Sequence, residues 1–460
     1  MGFFKAYDMR GTFGADFDLS LVERVGRALP QVVGGGRWLV GRDGRTSSPA
    51  VRNALVAGLR AAGADVTDLG LATTPMVYFF TARDGFDGSV MITASHNPPS
   101  DNGLKVSRKG ALPVGYDSGL AEVEKLAAAH TVSGAADSAM PAAHAAEHPI
   151  DEARLADYVA FLKSHAPAGF EGLSFAVDCS DGMASLVAHE LFPGAVFLND
   201  SVDGSFPHHS PNPLKADARE QVAAAVRERG LDCGVIFDGD ADRCMFVDER
   251  GRFIQPDFLI PVLAETYLPE PADGKSRPVA IHDVRTSRAA IERLTSAGFK
   301  PVMGKVGHAF AKKLLREVGG VCGGELAGHY YFRDFFNCDS GELAALRMLG
   351  AFAQAKRNGQ KVSEFMKPIT EKYANSGELN FKVPDKKAAT SAILAAAASL
   401  GTERGRETMD GYRLEFDKGW ISVRESNTEP YLRLIVETDT PERLALWTRT
   451  LTDRIPGATA

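Results

Sequence analysis

The residues with the clearest chemical potential lie in short polar segments that directly follow apolar runs. Residues 93–99, TASHNPP, place a serine, a histidine and an asparagine before two prolines. Ser95 in such a stiff, exposed loop could act as a nucleophile or carry a phosphoryl group. The same residue types also form ordinary capped turns, so this segment alone leaves both interpretations open. Lys105, in the run 103–106, would add a cation within reach of the loop.

The second segment, residues 237–243, reads FDGDADR and alternates three aspartates after an apolar run. Alternation would place the carboxylates of Asp238, Asp240 and Asp242 on one concave side, and hard divalent cations prefer oxygen ligands. An acidic turn without a metal is the alternative, but carboxylates this close repel one another unless a cation neutralises them. We therefore favour a divalent-metal site, which would suit Mg²⁺ if a phosphate also reaches it. Arg243 could hold that phosphate or stabilise it during transfer.

Two further segments could bind phosphate and sugar. Residues 424–430, RESNTEP, combine an arginine, hydroxyls and an amide in a turn suited to phosphate, although a plain turn between two strands would have a similar composition. Residues 323–329, GGELAGH, carry a glutamate and a histidine that could hydrogen-bond sugar hydroxyls, with a simple glycine turn as the alternative. Smaller cationic clusters occur at 7–11, 41–45 and 305–308.

Alternating apolar and amphipathic segments predict the elements that position these loops. In the first part we predict strands at 37–40, 64–69 and 88–93, and a helix starting at Ser48–Pro49 with Ser48 as its N-cap. This order predicts a largely parallel sheet covered by helices on both faces. Residues 131–149 are predicted to form a linker or loop.

The rest of the chain predicts two more α/β units and a smaller α+β domain that begins near residue 367. The last domain is indicated by alternating apolar residues, in strands at 412–416, 420–423 and 432–436, and by a final helix at 441–455. The predicted elements of the two middle units are strands 175–178, 233–237, 279–282 and 300–303, and helices 217–229, 287–297 and 309–318.

A weak internal repeat links the motifs to this framework. Three times an apolar run leads into a polar or glycine-rich loop: 90–92 into TASHNPP, 234–237 into DGDADR, and 320–322 into GGELAGH. In α/β sheets, ligands bind beyond the carboxyl ends of strands. Three such loops from three domains could therefore face one cleft.

Composition sets the broad class. The 460 residues are 44% hydrophobic and 24% charged, which is typical of soluble globular proteins and predicts about three domains. The net charge of −7 argues against nucleic acid as a partner. We expect no secretory leader and no membrane span. An odd count of five cysteines without a CxxC pair predicts reduced thiols in a cytoplasmic protein and no zinc finger.

With TASHNPPSDNGLKV, DGDADR, GGELAGH and RESNTEP in that order, the chain resembles the α-D-phosphohexomutase superfamily, and within it the bacterial phosphomannomutase/phosphoglucomutase family. YDMRG and GRDGR extend the resemblance over essentially the full length. It implies three α/β domains with mixed sheets and a smaller C-terminal α+β domain around a central cleft. The implied domains are 1–148 with the phosphoserine, 149–256 with the metal site, 257–367 for sugar recognition and 368–460 for phosphate binding.

The resemblance also implies an activity, namely reversible phosphoryl transfer between positions 1 and 6 of a hexose phosphate, mannose and/or glucose. Its substrates would be hexose 1-phosphates and 6-phosphates, with Mg²⁺ as cofactor and hexose 1,6-bisphosphate as intermediate and activator. Metal ligands would be the phosphate on Ser95 with Asp238, Asp240 and Asp242. The other implied catalytic residues are Lys105, Arg10, His96 and Arg243, and the substrate-binding residues are Tyr7, Arg285, His308, Glu325, Ala327, His329, Arg424, Ser426, Asn427 and Thr428.

One departure from the family pattern concerns Ala327, where relatives usually have serine. Loss of that hydroxyl would remove about 0.5–1.5 kcal/mol of hydrogen bonding if the sugar used it. The phosphoglucosamine mutase branch typically has glutamine where this chain has Leu326 and glycine where it has Asn427, so the chain resembles that branch less. Phosphoglucosamine mutase activity remains the alternative. A Mg²⁺-dependent sugar phosphatase and a non-catalytic sugar-phosphate-binding relative are further alternatives. The sequence leaves open the choice between mannose and glucose and between monomer and dimer.

Overall fold

A computed structural model describes residues 2–129, 151–166, 169–268, 277–425 and 431–455. The predicted linker at 131–149 lies outside these residues. The described chain forms four domains, each built around its own β-sheet. Within the described ranges, no helix has the length and apolar character needed to cross a membrane.

The first two domains contain the elements that carry the serine and aspartate motifs. The first domain consists of β1 Met9–Thr12, α1 Leu19–Val33, β2 Arg37–Arg42, α2 Ser48–Ala61, β3 Asp65–Leu71, α3 Thr74–Arg83, β4 Gly88–Ile92, β5 Asp101–Arg108, β6 Leu112–Pro113 and α4 Leu120–Ala129. The second consists of α5 Glu152–Ser164, β7 Phe175–Asp178, α6 Ala188–Leu191, β8 Val196–Leu198, α7 Ala216–Arg229, β9 Cys233–Phe237, β10 Cys244–Asp248 and β11 Phe253–Ile254.

The last two domains follow the predicted change from α/β to α+β. The third consists of α8 Ile260–Glu265, β12 Val279–Asp283, α9 Arg288–Ser296, β13 Lys300–Gly304, α10 His308–Glu317, β14 Cys322–Gly324, β15 Tyr330–Phe332, β16 Cys338–Asp339, α11 Gly341–Arg357 and α12 Val362–Thr370. The fourth consists of β17 Ala374–Asn375, β18 Leu379–Lys382, α13 Lys386–Ala397, β19 Glu403–Glu407, β20 Tyr412–Phe416, β21 Gly419–Glu425, β22 Tyr431–Thr438 and α14 Pro441–Thr452.

The first three sheets share one arrangement around a central strand. The strand orders are β1-β5-β4-β2-β3, β11-β10-β9-β7-β8 and β13-β12-β14-β15-β16. The central strands β4, β9 and β14 pair in parallel with β2, β7 and β12. Each then pairs antiparallel with the strand that follows it, β5, β10 or β15. The three motif loops are therefore the equivalent hairpin connections of three similar sheets, which accounts for the internal repeat in the sequence.

This arrangement corrects three details of the sequence analysis. The first sheet is mixed rather than largely parallel, because the chain reverses direction at the Ser95 loop and returns antiparallel as β5. The N-cap of α2 is Ser47 and not Ser48, whose hydroxyl donates instead to Asp43 Oδ1 at 2.6 Å. In the third loop, both glycines at 323–324 belong to β14, so the loop proper is only 325–329.

The hydrophobic cores show how firmly the domains are joined. One continuous core includes Phe79 of α3, Phe237 of β9 and Phe335 after β15, so it connects the first three domains. The antiparallel fourth sheet has a core of its own. A small apolar cluster of Leu326, Trp420 and Ile435 joins this sheet to the third domain. Polar groups add to this contact: Arg413 donates to the carbonyl oxygens of Val284 and Thr286, and Arg288 pairs with Glu415.

Candidate functional site

The Ser95 loop connects β4 to β5 and holds its serine in an unusual conformation. Ser95 is buried and has a φ of 52°, in the left-handed region that side chains with a Cβ rarely adopt. Its hydroxyl donates to Asp238 Oδ2 at 2.8 Å and lies 3.1 Å from His96 Nδ1. Its N–H donates to Thr93 Oγ1 at 2.8 Å. Such backbone strain costs about 1–3 kcal/mol and persists only where the surroundings impose it.

Arg45 imposes that conformation from beneath the loop. Its guanidinium has no exposed surface and donates to the carbonyl oxygens of Ser95 at 2.9 Å and Asn97 at 2.8 Å. The carbonyl oxygens of Pro98 at 2.5 Å and Asp101 at 3.0 Å accept from it as well. One buried cation therefore organises the whole turn. The sequence analysis noted residues 41–45 only as a cationic cluster and missed this function.

The three aspartates of the second loop converge as predicted. They are fully buried, and one carboxylate oxygen from each lies within 4.8 Å of the others. Asp240 Oδ1 and Asp242 Oδ1 have no hydrogen-bond partner among the described residues. Burial, followed by the neighbouring charges of Asp240 and Asp242, raises the pKa of Asp238 well above its usual range. Buried, crowded carboxylate oxygens without donors fit a hard divalent cation.

Two features bring this acidic loop against the first domain. Gly239 lies so close to the Ser95 loop that a Cβ there would be 2.6 Å from the Ser95 carbonyl oxygen. The hydroxyl of Thr74, the first residue of α3, donates to Asp240 Oδ2 at 2.6 Å, and its N–H donates to the Asp240 carbonyl oxygen at 2.9 Å. The start of α3 thus supports the acidic loop, which the sequence analysis did not predict.

Lys105 and Arg243 provide the cations of the site. Lys105 projects from β5, and its Nζ lies 2.6 Å from Asp240 Oδ2 and 2.5 Å from Asp242 Oδ2. It therefore contacts the acidic loop rather than Ser95 itself. Burial opposes both charges, yet their attraction raises the pKa of Lys105 and lowers that of Asp240. Arg243 Nε lies 3.6 Å from Asp238 Oδ2 and 3.8 Å from Asp242 Oδ1.

Arg10 and His96 flank the serine. Arg10 pairs with Asp8 at 2.5 Å and donates to the Ala94 carbonyl oxygen at 3.3 Å and to Asn97 Oδ1 at 3.4 Å. Burial, followed by the nearby Arg243 and Arg10 charges, lowers the pKa of His96 well below its usual value. His96 is therefore a neutral imidazole at pH 7, with Nδ1 beside the Ser95 hydroxyl.

The third loop forms a tight turn on the far side of the acidic cluster. The Glu325 N–H donates to the His329 carbonyl oxygen at 2.9 Å, and Glu325 Oε1 accepts from the Gly307 N–H at 2.7 Å. His329 Nδ1 lies 2.8 Å from Asp339 Oδ2 and 3.7 Å from Asp242 Oδ1. Ala327 is half-buried in the same turn. Asp339 is a further partner that the sequence analysis missed.

His308 and Tyr7 meet beside this turn from different domains. The His308 ring starts α10 and lies 5.3 Å from the Tyr7 ring and 5.9 Å from the His329 ring, measured between centroids. Both nitrogens of His308 are buried without a hydrogen-bond partner among the described residues. Burial lowers the pKa of His308 and raises that of Glu325. These groups can offer hydrogen bonds to a polar ligand.

Arg424 and Arg285 belong to the boundary between the third and fourth domains. Arg424 lies inside β21 rather than in the following turn, and donates to Asp410 Oδ2 at 2.9 Å. The same oxygen accepts from the Val306 N–H at 2.9 Å, which connects Arg424 to the segment before His308. Arg285 Nη2 pairs with Asp283 at 2.6 Å, and its Nη1 lies 3.6 Å from Glu378 Oε1. The other predicted phosphate-binding residues, Ser426, Asn427 and Thr428, lie outside the described residues.

The structure thus joins most of the predicted residues through short contacts. Ser95, His96, Lys105, Arg10 and Arg243 surround the three aspartates. A second group, next to them across His329, consists of Tyr7, His308, Glu325, Ala327 and His329. Of the missed residues, Thr74 carried a weak signal, because the Thr-Thr-Pro sequence at 73–75 marks a helix start. Arg45 and Asp339 carried no signal beyond their residue type.

Comparisons with known proteins agree with this architecture. The four domain models described as phosphoglucomutase/phosphomannomutase, alpha/beta/alpha domains I, II and III and C-terminal domain, match residues 1–131, 156–251, 255–373 and 378–453. Four domains of this order around the serine and aspartate loops define a phosphohexomutase, an enzyme of the isomerase class. The chain belongs to the phosphoglucomutase/phosphomannomutase family.

Individual relatives cover nearly the whole chain. A protein named "Phosphohexose mutases" from Xanthomonas campestris is 38% identical over 95% of this chain and 94% of its own length. A phosphomannomutase of Escherichia coli strain K12 is 34% identical with the same coverage. The crystal structure of a family protein from Burkholderia thailandensis, 30% identical, covers 99% of this chain and 98% of its own, with a TM-score of 0.83.

Proposed function

We propose that the protein interconverts the 1-phosphates and 6-phosphates of mannose and/or glucose through a phosphoserine at Ser95 and a hexose 1,6-bisphosphate. The carrying observation is the 2.8 Å hydrogen bond from the Ser95 hydroxyl to Asp238, within a buried carboxylate cluster balanced by Lys105. This combination places a nucleophilic oxygen next to a site for a divalent cation.

The acidic loop is the proposed Mg²⁺ site. Asp238, Asp240 and Asp242, together with a phosphate on Ser95, would hold the ion. When bound, Mg²⁺ supplies a Lewis acid that polarises phosphoryl oxygens. The two unpartnered oxygens of Asp240 and Asp242 support this assignment. The 1,6-bisphosphate would act as activator by phosphorylating a serine that has lost its phosphate.

The fixed cations and His96 are proposed to carry out the transfer. Lys105 stays charged because two carboxylates hold it, so it offsets negative charge on the transferring group together with Arg243 and Arg10. His96 is neutral and lies 3.1 Å from Ser95 Oγ, so its Nδ1 can hold the proton of the serine hydroxyl. The sequence-based candidate for proton handling is Lys105, with Arg10 and His96 nearby; held as a cation by two carboxylates, it can donate a proton but not accept one.

Substrate recognition is assigned to the third and fourth domains, with Tyr7 contributed by the first domain. Glu325, His329, His308 and Tyr7 would bind sugar hydroxyls, with Ala327 leaving one hydroxyl of the sugar unbound. The phosphate remote from Ser95 would be held by Arg424, Arg285, Ser426, Asn427 and Thr428. Because the bisphosphate must turn end for end, the same group would grip either phosphate in succession. The fourth domain has a hydrophobic core of its own, so it is suited to close over the sugar as a unit and exclude water.

The proposal includes the predicted cytoplasmic location and the domain divisions at 1–148, 149–256, 257–367 and 368–460. Buried, unpaired thiols at all five cysteines support a reducing compartment. The acidic net charge argues against nucleic acid as a partner. The proposed partners are small phosphorylated sugars, and neither nucleic acid nor a membrane.

Phosphorus NMR tests the function directly. The wild type is incubated with Mg²⁺, a trace of glucose 1,6-bisphosphate, and either mannose 1-phosphate or glucose 1-phosphate. We expect both to become 6-phosphates, with the rate ratio giving the sugar preference. Ser95→Ala should lose activity at least about 10³-fold, whereas Ser100→Ala in the same loop should retain it.

Two other results would replace the proposal. Release of inorganic phosphate as the main product would identify a phosphatase. Turnover that appears only with glucosamine 1-phosphate would identify a phosphoglucosamine mutase. Equal activity of Ser95→Ala and the wild type would contradict the phosphoserine.

A further inference from the structure

A loop of the second domain, residues 199–211, packs against Gly44 and Arg45, and Arg45 in turn holds the Ser95 turn. Four residues with a positive φ and a Cβ occur in it or in the neighbouring turn: Ser180 (55°), Asp181 (53°), Asn199 (48°) and Phe206 (48°). Strain of this kind persists only where other contacts impose it, and it is concentrated at functional sites. None of these residues belongs to the serine, aspartate, sugar or phosphate loops.

Asp181 holds the loop in shape. It is buried, its N–H donates to the Asn199 carbonyl oxygen at 2.9 Å, and its own carbonyl oxygen accepts from the Asp203 N–H at 2.9 Å. Its Oδ1 lies 2.8 Å from His208 Nδ1. The Phe206 N–H donates to the Asp203 carbonyl oxygen at 3.0 Å. The backbone around Phe206 is therefore fixed within the second domain, independently of the first.

The loop at 199–211 packs against Arg45. The Arg45 Cζ lies 5.1 Å from the centre of the Phe206 ring. Gly204 leaves no space in this contact, because a Cβ there would be 2.2 Å from the Gly44 carbonyl oxygen and 2.4 Å from Arg45 Cα. The far end of the Phe206 ring, Cζ, would be 3.4 Å from a Cβ at Gly239, the glycine that packs on the Ser95 carbonyl oxygen. Phe206 thus lies between Arg45 and the acidic loop.

We propose that Phe206 is a positioning residue for Ser95, which acts by covering the Arg45 guanidinium that holds the Ser95 turn; this rests on the proposed function. An apolar ring over the guanidinium keeps water from its hydrogen bonds to four carbonyl oxygens, which are stronger in a water-free environment. The ring also attracts the cation directly. Without this cover, water competes for Arg45, the strained Ser95 turn relaxes, and the phosphoserine becomes accessible to hydrolysis.

Kinetics of Phe206→Ala test the proposal against a matched variant. Phe253 in the same domain stacks on Arg219, with 3.8 Å from Arg219 Cζ to the ring centre, and this arginine donates to the carbonyl oxygens of Pro213 and Leu214 rather than to the Ser95 turn. We expect Phe206→Ala to lower kcat about tenfold to a hundredfold with little change in KM, because small displacements of reacting groups cost this much. We also expect it to release more inorganic phosphate per turnover. Phe206→Leu, which keeps an apolar cover, should restore most of kcat, and Phe253→Ala should match the wild type.

A double-mutant cycle shows whether Phe206 acts through Arg45. If it does, adding Phe206→Ala to Arg45→Lys lowers kcat much less than adding it to the wild type. Fully additive losses, or an unchanged kcat in Phe206→Ala, would overturn the proposal. A loss of kcat that only follows the loss of folded protein, measured by thermal unfolding, would overturn it as well.

Hydrogen exchange separates this inference from the proposed function, because it needs no substrate. The amides of Ser95, Asn97 and Asp101 are hydrogen-bonded inside the turn. They should exchange at least about tenfold faster in Phe206→Ala than in Phe253→Ala. Unchanged exchange would contradict the positioning role even in an active mutase, and faster exchange would support it even if the substrate assignment failed.

Discussion

Ser95 Oγ and Asp238 Oδ2 are 2.8 Å apart, although the two residues are 143 positions apart and belong to different domains. Each follows the central strand of its sheet, at the same place in the repeated topology. The shared core of the first three domains fixes these two hairpins relative to each other. The contact between the serine loop and the aspartate loop is therefore a property of the assembled domains and not of either domain alone.

Lys105→Met should destabilise the metal-free protein. Addition of Mg²⁺ should restore part of the lost stability. The substitution leaves Asp240 and Asp242 buried without their cation, and removal of one member of a buried ion pair costs about 3–5 kcal/mol. Mg²⁺ would neutralise the same carboxylates. We expect the denaturation midpoint in urea to fall strongly without Mg²⁺ and to recover in part with it.

The matched control for this experiment is Lys313→Met. Lys313 pairs with Glu317 at 3.7 Å, but its side chain is 73% exposed. Exposed pairs of this type contribute about 0–1 kcal/mol, and Mg²⁺ should not affect this variant. A Lys105→Met midpoint equal to that of Lys313→Met would show that the buried ion pairs are unimportant for stability.

Asp238→Asn should leave the stability of the metal-free protein unchanged or higher, but it should reduce the additional stability that Mg²⁺ provides. It removes one of three mutually repelling carboxylates, so the metal-free variant should be at least as stable as the wild type. Mg²⁺ at about 100 times its Kd should stabilise the wild type by about 2.7 kcal/mol, and should stabilise the variant far less. Thermal unfolding with and without Mg²⁺ measures both effects.

Asp417→Asn provides the comparison, because this exposed carboxylate pairs with Arg404 of the neighbouring strand and is not one of the three aspartates of the acidic loop. It should keep the full response to Mg²⁺. An equal response of Asp238→Asn would exclude Asp238 as a ligand.

Arg424→Lys should raise KM more than it lowers kcat. Lysine loses the planar fork that binds phosphate in a bidentate manner, and one such contact is worth about 1.4 kcal/mol, or tenfold in affinity. Arg404→Lys, on an exposed strand of the same domain, should leave both constants unchanged. Equal changes in kcat and KM, or none, would show that Arg424 does not bind the substrate phosphate.

Much of this architecture could be predicted from the sequence because the signals were local. The predicted strands 175–178 and 233–237 coincide with β7 and β9, since both are short apolar runs that are buried throughout. The loops after β4, β9 and β14 could be recognised in the sequence because in each of them polar or ionisable residues directly follow a short apolar run. The internal repeat then predicted that these loops converge.

The remaining features depend on contacts that no local pattern shows. Periodicity identifies a strand but not its direction, so the antiparallel return of β5 was missed. Thr74 meets Asp240 across 166 positions, and a threonine at a helix start has many other roles. The sequence shows Arg45 only as a cationic residue. Its four hydrogen-bond acceptors are backbone carbonyl oxygens of another loop, and they come together only when that loop is folded.

Glu342→Gln should become increasingly stabilising as the pH rises from 5 to 8. Glu342 is fully buried in the first turn of α11, where burial raises its pKa to about 8. In the unfolded chain the carboxyl ionises near pH 4–5. Between these values the folded state binds more protons than the unfolded state, so this residue makes the wild type less stable as pH increases.

Glutamine keeps the shape of the side chain without a titrating group, and Ser340 Oγ, 3.1 Å from Glu342 Oε2, can still donate to its oxygen. The stability difference should grow by about 3 kcal/mol between pH 5 and pH 8. Urea midpoints at each pH measure it, and Glu371→Gln, at an exposed position, should show no such trend. A difference that stays constant over this range would mean that the carboxyl of Glu342 ionises at its ordinary pH in the folded protein.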